Sequence, residues 1–350
     1  MRGPFFMFSA ALAFFIILAG CTQPAPPMQN GTANATHPQQ NITPPPPNLS
    51  NVSIIITPQE NLTIGQNYTP PPPPPESQEI VYTHEPNATF AVYFIYVGDA
   101  RSGLQGDAIL IRKGDLAILV DAGPEGTAGK VVDFLKERGV DNIGVLLSTN
   151  GDPQHFGGIR AVSSAYRIQE LWWGGNDFNN AAYRSAISDV SPKAKSTRVI
   201  GRGFNMTLNG MTLTALNPLG RQFNDVNNDA VVLRLDDRNF SMVLLSGVQF
   251  GAQNEMLNHE QPLLRCDVMQ APYYGLGAGT ANVGNFLKTL QPHAVVISGG
   301  PDESAASGGS RDPFRRTLKD YGIPYYENYV NGTVRIVSDG QTYSVGYFTA

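Results

Sequence analysis

Val145-Leu146-Leu147-Ser148-Thr149-Asn150-Gly151-Asp152-Pro153-Gln154-His155-Phe156-Gly157-Gly158 is the stretch on which the reading of this chain turns. Its apolar start predicts a buried strand. A polar turn follows, with an Asp and a His three residues apart, and Gly-Gly then opens a helix. A strand end that passes through a polar loop into a helix N-terminus is where α/β folds place their chemistry.

Working outward, strands are predicted over 90–97, 108–112 and 116–120, and a helix over 126–138 with Gly139 past its end. The 142–148 strand comes next. A helix at 158–166, a strand at 170–173 and a helix at 179–188 follow. Strands return at 197–200, 211–216, 230–235 and 241–246. The remainder is a strand at 266–271, a helix at 283–290, a strand at 294–298, a helix at 313–321, and strands at 333–337 and 343–348. A β-rich opening passes into β-α alternation and the scheme then recurs. Two mixed sheets packed face to face with helices outside fit that order.

The N-terminal quarter is different. Residues 1–20 have the pattern of a secretion signal, with Arg2 ahead of an apolar run that is short for a membrane span. Leu18-Ala19-Gly20-Cys21 looks like a lipobox, which implies cleavage before Cys21 and lipid on its sulfur. An uncleaved N-terminal anchor is the other reading. Either one attaches the chain to a membrane and places it at the cell surface, outside the cytoplasm.

Residues 21–89 are low in complexity, with proline runs at 44–47 and 70–75 and little apolar material to bury. Such composition predicts an extended, disordered stalk. Asn30, Asn34, Asn41, Asn48, Asn51, Asn61, Asn67 and Asn87 all stand in Asn-x-Ser/Thr, which suggests glycosylation in an exported chain. Only Asn205, Asn239 and Asn331 do so later. From Phe90 the composition turns globular, so 90–350 is read as the folded domain.

The whole chain carries a formal charge of −5. Residues 90–350 hold 23 basic against 25 acidic residues, a balance of −2 that does not favour nucleic acid. Beyond Cys21 the only cysteine is Cys266, in an apolar run, so disulfides do not staple the domain.

Several motifs then add up. Gln105-Gly106-Asp107-Ala108-Ile109-Leu110-Ile111 precedes Ile118-Leu119-Val120-Asp121-Ala122-Gly123. After the His155 loop come Asn228-Asp229-Ala230-Val231, Leu244-Leu245-Ser246-Gly247, Ala271-Pro272-Tyr273-Tyr274-Gly275 and Asn331-Gly332-Thr333-Val334. In this order they resemble the metallo-β-lactamase fold, in the branch formed by the extracellular domain of the ComEC/Rec2 DNA-uptake proteins. The resemblance implies an αββα sandwich and a two-metal hydrolase, often acting on phosphodiesters.

Its signature loop is His-x-Asp-x-Asp-His, and here that loop reads Asn150-Gly151-Asp152-Pro153-Gln154-His155. The bridging Asp of a later Gly-Asp is Val248, the His-His-Gly is Tyr273-Tyr274-Gly275, and no His stands near Gly309-Ser310-Arg311. The domain has only His155, His259 and His293, and the last two read as surface residues.

Asp152 and His155 are what survives of the implied site. They read either as an altered metal or acid–base pair, or as structural groups, with Asp152 capping the turn. An imidazole and one carboxylate fall short of the three protein ligands zinc needs. Asn150, Gln154, Tyr273 and Tyr274 line the expected pocket, where the two phenols either form a binding surface or plug a vacated cavity. Asp121 reads as a loop-bracing carboxylate and Gln105-Gly106-Asp107 as turn chemistry. Of Trp172 and Trp173, one reads as core and the other as its cover, with a stacking patch as the alternative. Arg311, Arg315 and Arg316 read as a solvated helix face.

Two functions remain open. One is a non-catalytic binding module for an unknown ligand or envelope protein, with no cofactor. The other is a hydrolase of phosphodiesterase or nuclease type, with zinc in an altered site and a link to DNA uptake.

Overall fold

The computed structural model describes residues 54–56, 62–64, 90–99, 104–220, 223–277, 283–300 and 309–348. The signal segment, Cys21 and most of the stalk lie outside these residues. Within the stalk, Ile54–Ile56 (β1) pairs antiparallel with Leu62–Ile64 (β2).

The first half of the domain runs Phe90–Phe94 (β3), Ile109–Lys113 (β4), Leu116–Val120 (β5), Ala128–Glu137 (α1), Asn142–Ser148 (β6), Pro153–Phe156 (α2), Ile159–Ala165 (α3), Arg167–Trp173 (β7), Ala181–Val190 (α4) and Ala194–Val199 (β8). The second half runs Asn205–Leu208 (β9), Met211–Asn217 (β10), Val232–Asp237 (β11), Phe240–Leu244 (β12), Phe250–His259 (α5), Gln261–Leu264 (α6), Val268–Gln270 (β13), Val283–Leu290 (α7), Ala294–Ile297 (β14), Asp312–Asp320 (α8), Tyr325–Glu327 (β15) and Asn328–Asn331 (α9). Val334–Ser338 (β16) and Tyr343–Tyr347 (β17) then return to β3.

Two sheets result, in the orders β17-β16-β3-β4-β5-β6-β7-β8 and β15-β14-β13-β12-β11-β10-β9. In each sheet antiparallel pairing gives way to parallel pairing, at β5–β6 and at β12–β13. The parallel part is where helices cross over, and its strand ends meet at the His155 loop.

Period-two alternation separates three apolar layers. Val145 and Leu147 face Leu233 and Leu244 between the sheets. Leu146, one residue away, faces Val131, Leu135 and Ile159 beneath α1 and α3. Val243 and Val295 face Met256, Phe286 and Phe314 beneath α5, α7 and α8. This is the αββα order of layers. Trp172 is fully buried between the sheets and Trp173 is half-buried against Tyr183, so one is core and the other covers it.

Several elements were not legible in the sequence, among them β9, β15, α5 and the single turns α2, α6 and α9. β9 is a four-residue edge strand of alternating exposure, β15 has three residues, and α5 mixes Gly, Asn and Gln with few apolar positions. None has the periodicity that marks an element. Among the described residues no helix is long and apolar enough to cross a membrane.

Candidate functional site

Each part of the loop is placed by ordinary local chemistry. β6 delivers Thr149 and Asn150 at its C-terminal end. Asp152 is the N-cap of α2, accepting the Gln154 N–H at 2.8 Å, with Pro153 at the first helical position where no N–H is needed. Asn150, fully buried, accepts the Asp152 N–H at 2.9 Å and reaches Ser246 Oγ at 3.2 Å. Gln154 is half-buried. Its carbonyl accepts the Asp107 N–H at 3.2 Å. One turn of helix then carries His155 inward, to 1% exposure.

Both ring nitrogens of His155 are engaged. Nδ1 lies 2.7 Å from Asp121 Oδ2, and Nε2 lies 2.7 Å from the Tyr274 hydroxyl. Burial alone would hold the imidazole neutral. The charge and hydrogen bond of Asp121, joined by Asp107 and Asp152, outweigh that and raise its pKa to about 9. At neutral pH His155 is therefore an imidazolium. It donates from Nδ1 to Asp121 and from Nε2 to Tyr274, whose hydroxyl is held protonated because burial and the nearby carboxylates push it well above the usual phenol range.

Asp121 braces the loop, as the sequence suggests. Its Oδ1 accepts the Thr149 N–H at 2.8 Å, and its Oδ2 accepts the Thr149 hydroxyl at 2.6 Å. Thr149 Oγ1 also lies 2.7 Å from Ser246 Oγ. One chain of polar groups thus runs from Ser246 through Thr149, Asp121 and His155 to Tyr274. It joins the ends of β5 and β6 to the ends of β12 and β13 and clasps the two sheets together.

The Tyr273-Tyr274 segment has unusual backbone. Tyr273, Tyr274 and Gly275 have φ of 46°, 59° and 72°. The left-handed region costs a bulky residue on the order of 1–3 kcal/mol. The surroundings hold it there. Arg311, fully buried, donates from Nε to the Tyr274 carbonyl at 2.7 Å, from one terminal nitrogen to Gly300 O at 2.7 Å, and from the other to Gln105 Oε1 at 3.0 Å. Arg311 is therefore not part of a solvated face, although Arg316 beside it is exposed. It stands where the resemblance sets a last His, and it locks the loop instead.

Gln105 and Asp107 are likewise more than turn residues, since both side chains are buried. Asp107 Oδ2 stands 3.7 Å from His155 Nδ1 as a second counter-charge. Neither of its oxygens has a hydrogen-bond partner, though Ser298 and Gln270 lie beside it, and burial raises its pKa. Sequence reasoning missed both Asp107 and Arg311. A charged residue next to Gly, Ser or Asp looks the same in solvent or interior, and the acceptors that make burial tolerable come from distant loops.

His259 is exposed, whereas His293 is half-buried, with Nδ1 3.0 Å from the Tyr343 hydroxyl and 3.5 Å from Asp267. Cys266 is free and buried, and burial pushes its thiol upward, so it is no nucleophile.

The zinc pair implied by the resemblance does not fit these donors. A metal-binding imidazole must offer a nitrogen lone pair, and both His155 nitrogens are occupied, Nδ1 by Asp121 and Nε2 by the Tyr274 hydroxyl. Val248 is a buried aliphatic group, and Tyr274 fills the place beside His155 Nε2. Among the described residues no three His, Cys, Asp or Glu side chains are placed to hold an ion.

The raised imidazole pKa carries a stability prediction. A group whose folded pKa lies above its unfolded value stabilises in full below the unfolded value, about 6.5, and loses that as pH climbs through the folded value. Unfolding free energies from urea titrations should therefore fall between about pH 7 and pH 9.5 in the wild type, by up to about 3 kcal/mol, and much less in His155→Gln. A flat wild-type profile over that interval contradicts the charged clasp.

Residues 101–172 match the family described as the metallo-beta-lactamase superfamily. The chain is similar to ComE operon protein 3 of Bacillus subtilis, at 19% identity over 170 residues, covering 49% of this chain and 22% of that protein. It is also similar to the uncharacterized protein YcaI of Escherichia coli, at 25% identity over 176 residues, covering 49% and 21%. The alignments thus take in about a fifth of each of these relatives. Among solved structures, the metallo-beta-lactamase fold protein YhfI from Bacillus subtilis matches with 12% identity and a TM-score of 0.48, covering 69% of this chain and 98% of that one.

Proposed function

We propose that the metallo-beta-lactamase superfamily domain of this chain, a relative of ComE operon protein 3, is a non-catalytic binding module displayed outside the cytoplasm. The observation that supports this most is the occupied imidazole. His155 is buried and hydrogen-bonded at both nitrogens, one of them to Tyr274, and the surrounding carboxylates raise its pKa. Two-metal hydrolysis needs ions that activate a water and clamp the attacked group, with an open coordination position for them to do so. A sealed imidazolium supplies none of this, and its burial keeps it from acting as an acid on any substrate.

The N-terminal sequence supports the location. A signal segment ending at Cys21 and a long, proline-rich, sequon-rich stalk would hold the domain away from a membrane. An envelope protein is then the natural partner, within an assembly of the DNA-uptake kind that the ComEC/Rec2 resemblance implies. The acidic balance of the domain does not favour direct contact with nucleic acid.

Elemental analysis of the purified full chain, run beside hydrolysis of bis(p-nitrophenyl) phosphate with added Mn²⁺ or Zn²⁺, tests this reading. The expected result is far less than one metal ion per chain and no metal-stimulated turnover. Tightly held stoichiometric metal, or turnover that Asp152→Asn or His155→Ala abolishes, contradicts it and favours the altered hydrolase.

A further inference from the structure

A second surface lies away from the His155 clasp. β8, Ala194–Val199, is the outermost strand of the eight-stranded sheet, with β7 as its only neighbour among the described residues. Every residue from 195 to 199 is exposed. The register against β7 is unbroken, and the Ile200 N–H donates to Trp173 O at 2.9 Å. Successive residues of a strand turn their N–H and C=O groups to opposite sides. Ser196 and Arg198, which share the parity of Ile200, therefore face β7. Lys195, Thr197 and Val199 turn their main-chain groups outward, where no strand among the described residues meets them.

The edge ends at a hollow of about 300 Å³, walled by Phe204, Pro218 and Leu219 with Gly174 and Gly201. Val199 and Leu219 stand over it at 61% and 54% exposure. These are large values for branched aliphatic groups side by side.

Charge narrows the choice of occupant. Lys195 and Arg198 stand exposed on the edge strand, Arg198 paired with Glu170 at 3.3 Å, whereas Lys193 precedes the strand and turns its ammonium to the Ser163 and Ser164 hydroxyls. Arg202, at the hollow, is already matched by Glu260 and Glu255. These two cations, one on each face of the strand, belong to a domain whose balance is acidic. A second copy pairing edge to edge would bring a second set of the same cations alongside, and lysine on an edge is a usual guard against self-association. A strand of opposite sign meets no such penalty.

We propose that the β8 edge is the docking site for an extended acidic segment of a partner protein, which adds as a ninth strand and seats an apolar side chain in the hollow beside Val199. Main-chain hydrogen bonds to Lys195, Thr197 and Val199 supply affinity, and the two cations and the hollow supply selectivity.

The test uses the full chain and two labelled hexapeptides, Glu-Val-Thr-Val-Glu-Leu and Lys-Val-Thr-Val-Lys-Leu. Thr197→Pro removes an outward N–H that the ladder to β7 does not use, so an edge strand should tolerate it, which a thermal melt checks. The acidic peptide should bind saturably and at least about tenfold more tightly than the basic one, with affinity falling about tenfold or more in Thr197→Pro. Lys195→Glu should narrow or reverse the preference. Equal affinity of wild type and a folded Thr197→Pro, equal affinity for both peptides, or a concentration-dependent dimer that Thr197→Pro abolishes, each overturns the proposal. The outcome is independent of metal content, so it is distinguishable from the fate of the non-catalytic reading.

Discussion

Asp121→Ala should cost the protein about 3–5 kcal/mol, enough to unfold much of it at moderate temperature, because it strands a buried cation. The Asp121 carboxylate takes three hydrogen bonds, from Thr149 N, Thr149 Oγ1 and His155 Nδ1. Removing it leaves the imidazole with Asp107 at 3.7 Å, without a hydrogen bond, and the more distant charge of Asp152. The residue also sits at φ 58°, where Ala gains strain and Asn does not. Asp121→Asn separates these causes. It keeps an acceptor and tolerates the backbone, but removes the charge. It should therefore lose less than the Ala variant and bring the His155 pKa back down. Urea unfolding at about pH 7 measures the cost. An Ala variant within about 0.5 kcal/mol of wild type would mean that the clasp carries no structural weight.

Arg311→Met should be the next most damaging change, at about 2–4 kcal/mol, since one buried guanidinium serves three acceptors. The Tyr274 carbonyl, the Gly300 carbonyl and Gln105 Oε1 all lose their partner at once. Arg311→Lys should not rescue it, because a single ammonium cannot reproduce the planar fork. The damage should also be local. Tyr273-Tyr274-Gly275 is held in a left-handed conformation by contacts that include this arginine, so hydrogen exchange at 272–277 should speed up ahead of global unfolding. Uniform loss across the domain, with no early opening there, would contradict the locking role.

What the sequence disclosed and what it hid divide along physical lines. The paired mixed sheets were legible because strands such as Val145-Leu146-Leu147 serve two apolar layers and so have no polar positions. Helices such as 283–290 were legible because an amphipathic stripe repeats. β9, β15 and α5 were not, because they are short or irregularly patterned. At the site, replacing one ligand type after another pointed to a changed function. Yet Asn150, Gln154, Tyr273 and Tyr274 could not be told apart as lining or filling. The structure separates them: Asn150 and Tyr274 are buried and hydrogen-bonded, whereas Gln154 and Tyr273 are half-buried. That Tyr274 would reach the histidine across 119 residues depends on an uncommon backbone conformation, and composition carries no trace of it.

The central claim is that His155 is a doubly engaged imidazolium with no nitrogen to offer an ion. ¹⁵N spectroscopy of the His155 ring in the full chain at neutral pH, assigned by comparison with His155→Gln and repeated after one equivalent of zinc, tests it most directly. Both ring nitrogens should be protonated, and their resonances should stay where they are when zinc is added. A bare Nε2 whose signal shifts in proportion to zinc would contradict it.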